Sequence, residues 1–373
     1  MDKIHILYVG LDNAKFVGGI ETYILKVVNH INLNIFQIDF LVFNDTEPCF
    51  YKELLAKGCK FHFVTSRKKN YWKNRSEIKE LYKKEKFDII HCHLNSLSYI
   101  TPCIEAYKLK IPIITHSHNA AIIGSRISKI LHDINFFRLK KLSVNRIAVS
   151  DLAGKWMFGN RDFLVLNNGI DTDRFLFSED ARRAIREEFS LDENAEVFIN
   201  VGAFRPQKNH VFIVKLFAEY LKKNSNAILF LVGEGRLKDE IISQVKLLGI
   251  EKSVFFLGLR KDIPQLLSAS DKLLFPSIYE GFPIALIEAE CSGLQCIISN
   301  SITKQAAIND LCESVSLDDP IEKWLIAMGK KVSTENRKNA SCLIKNKGLD
   351  VNSEIKRLSD LYTHLMGNQV QNG

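Results

Sequence analysis

Glu280 and Glu288, with seven residues between them, stand in the run Pro276-Ser277-Ile278-Tyr279-Glu280-Gly281-Phe282-Pro283-Ile284-Ala285-Leu286-Ile287-Glu288-Ala289. The apolar stretch 272–275 predicts a buried strand leading into it, and Pro283 can open the following helix at its first position, where a missing N–H costs no bond. Glu280 then lies in the loop at the carboxyl end of a strand, where open α/β sheets bind ligands. Glu288 lies about two turns along the helix, within reach of the same crevice. Two carboxylates so placed can accept hydrogen bonds from the hydroxyls of a sugar and a ribose. The helix start, approached through Gly281, Phe282 and Pro283, offers free N–H groups and positive dipole to phosphate. The pattern suits a polyhydroxylated, anionic ligand; two solvated acids beside a helix start are the plain alternative.

Cations recur at a similar turn. After a predicted strand over 196–201 comes Gly202-Ala203-Phe204-Arg205-Pro206-Gln207-Lys208, in which Arg205 and Lys208 could stabilise the charge that builds on a departing diphosphate. Near the start of the chain, Gly18-Gly19 precedes a helical pattern of Ile20, Tyr23, Ile24, Val27 and Val28, and paired glycines let backbone approach phosphate or sugar oxygens closely. Either turn could equally be only a turn with solvated neighbours. Thr115-His116-Ser117-His118-Asn119 closes another apolar run, and the i, i+2 spacing puts both imidazoles on one side while the strand stays extended. Zinc would need further ligands, which His91 and His93 could supply, but four histidines at adjacent strand ends also describe a sugar-binding rim, and no metal is expected.

The segment from Glu280 to Gly293 resembles the Glu, seven residues, Glu signature of retaining glycosyltransferases of the GT-B fold, in the large family that includes bacterial polysaccharide and mannosyl transferases. Glu288-Ala289-Glu290-Cys291-Ser292-Gly293 parallels that family's Glu-Ala-small-Ala-x-Gly run. The resemblance implies that Gly18-Gly19-Ile20-Glu21 is the loop facing the donor phosphates, and that His118, in register from Pro112, sits by the transferred sugar with His116 as second choice. It implies phosphate contact for Lys208 beside Gly202. The arginine usual after that glycine is Ala203 here, and Arg205 is its candidate replacement. Strands ending at Gly233 and Gly258 also match, so Leu259 and Arg260 are candidates to hold the nucleobase. Glu280 would orient the sugar hydroxyls and Glu288 the ribose. Ser299 to Gln305 replaces the family's Gly-Gly-x-x-Glu loop, leaving Thr303 and Lys304 as candidate phosphate contacts. Asp171-x-Asp173 imitates a metal-binding Asp-x-Asp, but beside the Gly169 turn it reads as a hinge acid capping backbone.

The elements that must position these groups alternate. Apolar runs at 4–9, 35–42, 61–64, 87–92, 111–115 and 146–149, separated by amphipathic stretches, predict a parallel sheet covered on both faces. The same alternation resumes after 196. Two Rossmann-like α/β domains follow, residues 1–170, completed by a helix over 351–365, and residues 171–350; the resemblance implies that they face across a cleft. At 373 residues and 46% hydrophobic, the chain suits two soluble domains. Its first residues read as a strand rather than a signal peptide, no run is long enough to span a bilayer, and the eight scattered cysteines suit reduced thiols.

The net charge of +8 is uneven: residues 1–170 carry 25 Lys and Arg against 15 Asp and Glu, whereas residues 171–373 carry 26 against 28. A basic first half suggests an anionic partner. Basic and aromatic residues mix over 67–86, and Ile127, Ile130, Leu131, Ile134 and Phe137 form a helical stripe beside Arg126, Lys129, Arg138, Lys140 and Lys141. A core-facing stripe is the expectation there, with docking to an anionic membrane surface the alternative.

The expectation is therefore a retaining hexosyl- or N-acetylhexosaminyltransferase that uses a nucleoside diphosphate sugar, UDP-sugar favoured, without metal or other cofactor. Its acceptor is expected to be a lipid-linked saccharide of bacterial capsule or exopolysaccharide assembly. The protein would be cytoplasmic or peripheral on the inner face of the cell membrane, and nucleic acid is not an expected partner. The rivals are a sugar epimerase on the same fold and a basic RNA- or membrane-binding protein without activity.

Overall fold

The computed structural model describes residues 3–11, 18–43, 46–120, 125–330, 337 and 339–371. Two compact units are present, residues 1–168 with 352–373, and residues 169–351.

In the first unit the strands β1 (Ile4–Val9), β2 (Phe36–Val42), β3 (Lys60–Phe63), β4 (Ile89–Leu94), β5 (Ile113–Ser117), β6 (Asn145–Ala148) and β7 (Leu164–Val165) form a parallel sheet in the order β3-β2-β1-β4-β5-β6-β7. The helices α1 (Gly19–His30), α2 (Tyr51–Ala56), α3 (Tyr71–Glu85), α4 (Thr101–Lys108), α5 (Arg126–Leu139) and α6 (Asp151–Phe158) alternate with the strands. The central strands are near-continuous apolar runs because helices cover both faces, which removes the polar alternation of a half-exposed strand. β4 and β5 each run two residues beyond the predicted ends, which draws His93, His116 and Ser117 into the sheet. From Asn352 onward the closing helix Val351–Gln371 belongs to this unit, where the Tyr362 hydroxyl lies 2.6 Å from that of Tyr8.

The second unit repeats the plan. β8 (Glu196–Val201), β9 (Ala227–Val232), β10 (Val254–Gly258), β11 (Lys272–Phe275), β12 (Gln295–Ser299) and β13 (Cys312–Val315) lie parallel in the order β10-β9-β8-β11-β12-β13. They alternate with α7 (Glu179–Glu188), α8 (His210–Leu221), α9 (Lys238–Leu247), α10 (Ile263–Ala269), α11 (Ile284–Cys291), α12 (Ile321–Met328) and α13 (Ala340–Asn346). Phe198, Phe217, Leu229, Leu274 and Trp324 share its apolar core. The charged segment before β8 docks through Arg182 and Arg186, which grip the Asp271 carboxylate at 2.7 and 3.0 Å.

Strand order decides where ligands can bind. In each sheet the winding reverses beside the first strand, between β1 and β4 and between β8 and β11, so the loops leaving those strands diverge and open a crevice at their carboxyl ends.

Candidate active site

At the reversal point of the second unit, the loop after β8 carries Lys208 and the loop after β11 carries Glu280. Because β8 and β11 are hydrogen-bonded neighbours, with Phe198 opposite Lys272 and Ile199 opposite Leu273, the loops meet although 72 positions separate the two side chains. Lys208 Nζ donates to Glu280 Oε1 at 2.7 Å and stands 4.6 Å from the centre of the Phe275 ring. Gln207, which the sequence did not single out, donates from Nε2 to Glu280 Oε2 at 3.2 Å and to the Tyr279 carbonyl at 2.9 Å, while its own carbonyl accepts from Ile278 N–H. Asn209 Nδ2 reaches the Pro276 carbonyl, and the Ser299 and Ser301 hydroxyls both donate to the Ser277 carbonyl. Glu280 is therefore a buried carboxylate whose two oxygens are held by neighbouring donors, on a loop pinned from both sides.

Two glycines make this approach possible. A Cβ on Gly202 would stand 3.1 Å from Lys208 Cε, crowding the lysine stem that crosses it. Gly233, at φ +144, would put a Cβ 2.2 Å from the Gly202 carbonyl oxygen. Pro283 is the residue that caps α11 rather than its first helical residue, so free N–H groups begin at Ile284. Gly281, Phe282 and Pro283 are buried beside Glu280, and Glu288 lies half-buried further along the helix.

Other candidates fall outside this cluster. Arg205 is exposed at the turn Pro206–Lys208 and does not join Lys208 at Glu280. Arg260 gives its guanidinium to Asp262 at 2.6 Å and to Glu188 at 3.2 Å, so the acids beside it hold its charge, while Leu259 is fully available at 78% exposure. Asp171 accepts from Arg174 N–H, the hinge-capping role read from the sequence, whereas Asp173 pairs with Lys345 at 2.7 Å. Thr303 caps the short turn Lys304–Ala306; the Lys304 side chain lies outside the described residues.

In the first unit Gly18 and Gly19 open α1, where Glu21 Oε2 accepts from Gly18 N–H at 3.0 Å; Phe16 and Val17 before them lie outside the described residues. The histidines separate by depth. His116 is wholly enclosed inside β5, whereas His118, one residue past its end, is half-buried with Nε2 3.0 Å from His93 Nδ1. Burial, and then the nearby Lys26 ammonium, pulls the His118 imidazole down to about 3, so it stands neutral at physiological pH. The stripe on α5 differs from the core-facing expectation: Ile127, Ile130, Ile134 and Phe137 are 69%, 57%, 44% and 63% exposed. The reason is that α5 docks through polar groups, His132 Nδ1 accepting from Leu97 N–H and Asn135 Nδ2 donating to the Leu97 carbonyl, which turns the apolar stripe outward.

Residues 181–311, which contain the whole Lys208–Glu280 arrangement, match the family model described as glycosyl transferases group 1, and residues 17–174 match Glycosyltransferase Family 4. The chain carries a group 1 glycosyltransferase domain. This glycosyltransferase is 29% identical over 365 residues to EpsF of Bacillus subtilis (strain 168), covering 92% of its own length and 93% of that protein. It is 27% identical to the UDP-Gal:alpha-D-GlcNAc-diphosphoundecaprenol alpha-1,3-galactosyltransferase of Escherichia coli, with 80% of each chain covered. Its fold is GT-B. Anabaena Alr3699/HepE in complex with UDP-glucose superposes with a TM-score of 0.79 at 17% identity, over 96% of this glycosyltransferase and 99% of that chain. The lipopolysaccharide glycosyltransferase WaaG superposes with a TM-score of 0.73 at 16% identity, over 96% and 99%.

Proposed function

We propose that this glycosyltransferase moves a hexosyl or N-acetylhexosaminyl group from a UDP-sugar to a hydroxyl of a lipid-linked saccharide, with retention at the anomeric carbon and without a metal. The observation that carries the reading is Glu280 held by Lys208 and Gln207 at the reversal point of the second sheet. A carboxylate fixed there accepts hydrogen bonds from sugar hydroxyls, and the ammonium beside it meets the diphosphate as negative charge builds on the leaving oxygen. Glu288 takes the ribose hydroxyls, and Leu259 and the backbone around Arg260 take the base. The departing phosphate accepts the acceptor's proton on the face it leaves, so no second carboxylate nucleophile is needed. Arg205, exposed and mobile by its length, swings onto the phosphates when they arrive.

Support for the donor comes from the fold shared with a protein crystallised with UDP-glucose, and for the acceptor from the relative that acts on a diphosphoundecaprenol-linked sugar. The exposed stripe of α5, flanked by Arg126, Lys129, Arg138, Lys140 and Lys141, suits an anionic bilayer that carries such an acceptor; no helix among the described residues is long and apolar enough to cross a membrane. Capsule or exopolysaccharide assembly at the inner face of a bacterial membrane is the setting that follows. A thermal-shift screen of UDP, GDP and their sugars tests the reading, followed by transfer of labelled sugar to a lipid-diphosphate saccharide. A rise in Tm with UDP compounds and labelled lipid product are expected. No response to any nucleoside diphosphate, or release of free altered nucleotide sugar without acceptor, would overturn it.

A further inference from the structure

A second set of side chains in the first unit is given no role in the transfer proposed above. β4 and β5 are paired with His93 opposite His116, and the two-residue period of a strand puts His91, His93 and His116 on the same face of the sheet. All three are buried, and one ring nitrogen from each lies within 4.8 Å of the others. The rings of Tyr8 and Tyr23 wall the cluster, at centroid distances of 4.8 to 5.5 Å from these imidazoles.

Hydrogen bonding leaves the inward nitrogens bare. Among the described residues, His91 Nε2, His93 Nε2 and both nitrogens of His116 have no hydrogen-bond partner. A buried polar atom without a hydrogen-bond partner is costly, so several in one place point to something that takes their lone pairs. The outward nitrogens are held: His91 Nδ1 is 2.7 Å from the Tyr362 hydroxyl, and His93 Nδ1 is 3.0 Å from His118 Nε2. When each Nδ1–H donates along those contacts, both Nε2 atoms face inward as acceptors, the arrangement in which outer partners fix metal-binding tautomers.

We propose that His91, His93 and His116 form a structural site for one divalent transition-metal ion, with Zn2+ the best fit, binding the carboxyl ends of β4 and β5 together. Three neutral imidazoles with no carboxylate or thiolate among them select Zn2+, Co2+, Ni2+ or Cu2+ over Mg2+ and Ca2+. Zinc–nitrogen bonds of about 2.05 Å in a tetrahedron set ligand atoms about 3.4 Å apart, so binding draws the nitrogens inward. It also turns the His91 and His93 rings out of their stacked arrangement at 26°. The nearby Lys26 ammonium is paired with the Glu354 carboxylate, so the pair adds no net charge against a cation. The ion supplies no step of the transfer chemistry proposed above, although His93 touches His118 at 3.0 Å.

Untagged protein, stripped with chelator and then dialysed against buffered Zn2+ or Co2+, gives the decisive measurement by elemental analysis. About one ion per chain is expected, with visible Co2+ absorption of tetrahedral intensity and a higher Tm. H116Q, folded by circular dichroism, should bind at least tenfold more weakly; H91Q serves if H116Q does not fold. Wild-type protein holding only background metal, with no Co2+ absorption and no Tm change, would sink the site whatever the variants do. So would binding that H116Q leaves unchanged.

Discussion

Glu280 and Lys208 act as a pair before any ligand arrives, and the pair makes their substitutions interdependent. E280A should lower kcat/KM by about a hundredfold or more, the scale found when one preorganised polar group is taken from a transition-state site. K208A should do the same, while the double variant should lose much less than the product of the two, with a coupling of about 1–3 kcal/mol. Steady-state kinetics on all three variants checks this, and strict additivity would show that the contact at 2.7 Å has no part in the reaction. Glu290 makes a second residue-scale case. It is fully buried on α11, its Oε1 accepts from Ile308 and Asn309 N–H at 2.7 and 3.0 Å, and burial raises its carboxyl to about 7. A raised carboxyl binds a proton in the folded chain that the unfolded chain has already released, so this group's stabilisation is complete below about 4.3 and is lost as pH rises to 7. E290Q keeps the acceptor oxygen without the titration. Wild-type stability should therefore fall relative to E290Q by up to about 1.4 kcal/mol per pH unit between pH 4.5 and 7, measured by denaturant melts. E290L, which removes the acceptor, should be about 1–3 kcal/mol less stable at pH 5.

Elements decide which face a residue shows. The period of α5 was legible, because Ile127, Ile130, Ile134 and Phe137 recur at helical spacing, but the face it buries was not. Periodicity ranks faces by apolarity alone, while His132 and Asn135 anchor the helix by hydrogen bonds to the Leu97 backbone, a partner invisible in sequence. The outward stripe predicts membrane binding. The full chain should co-sediment with vesicles rich in anionic lipid and far less with neutral vesicles, and I130E/F137E should weaken that association at least tenfold while leaving transfer to a water-soluble acceptor analogue intact. Equal binding to both vesicle types would remove the electrostatic half of the argument. The strands behave differently. Their interiors were plain from apolar runs, and their ends slipped by two residues at β4 and β5 because His93 and His116 interrupt the apolar pattern while the backbone ladder continues past them.

Across the whole molecule, two sheets with the same reversal of strand order give each unit a ligand-binding edge. A donor held by the folded second unit stabilises the chain by mass action, so UDP at a hundred times its Kd should add about 2.7 kcal/mol to unfolding, read as a rise in Tm that E280A reduces. Alternating apolar and amphipathic stretches determined by themselves that the chain forms parallel α/β sheets, since that pattern has one economical way to cover both faces of a strand. The residue types at 280–293 and 202–208 likewise marked an acidic and a cationic loop. What only the tertiary structure decided is that β8 and β11 are neighbours, so that Lys208 and Gln207 close on Glu280 while Arg205 and Arg260 turn elsewhere. It also enclosed three histidines with bare nitrogens beneath the tyrosines. Local propensity is written residue by residue along the chain, but side-chain partnership depends on which strands pair, and that is settled by packing over long separations that no local pattern encodes.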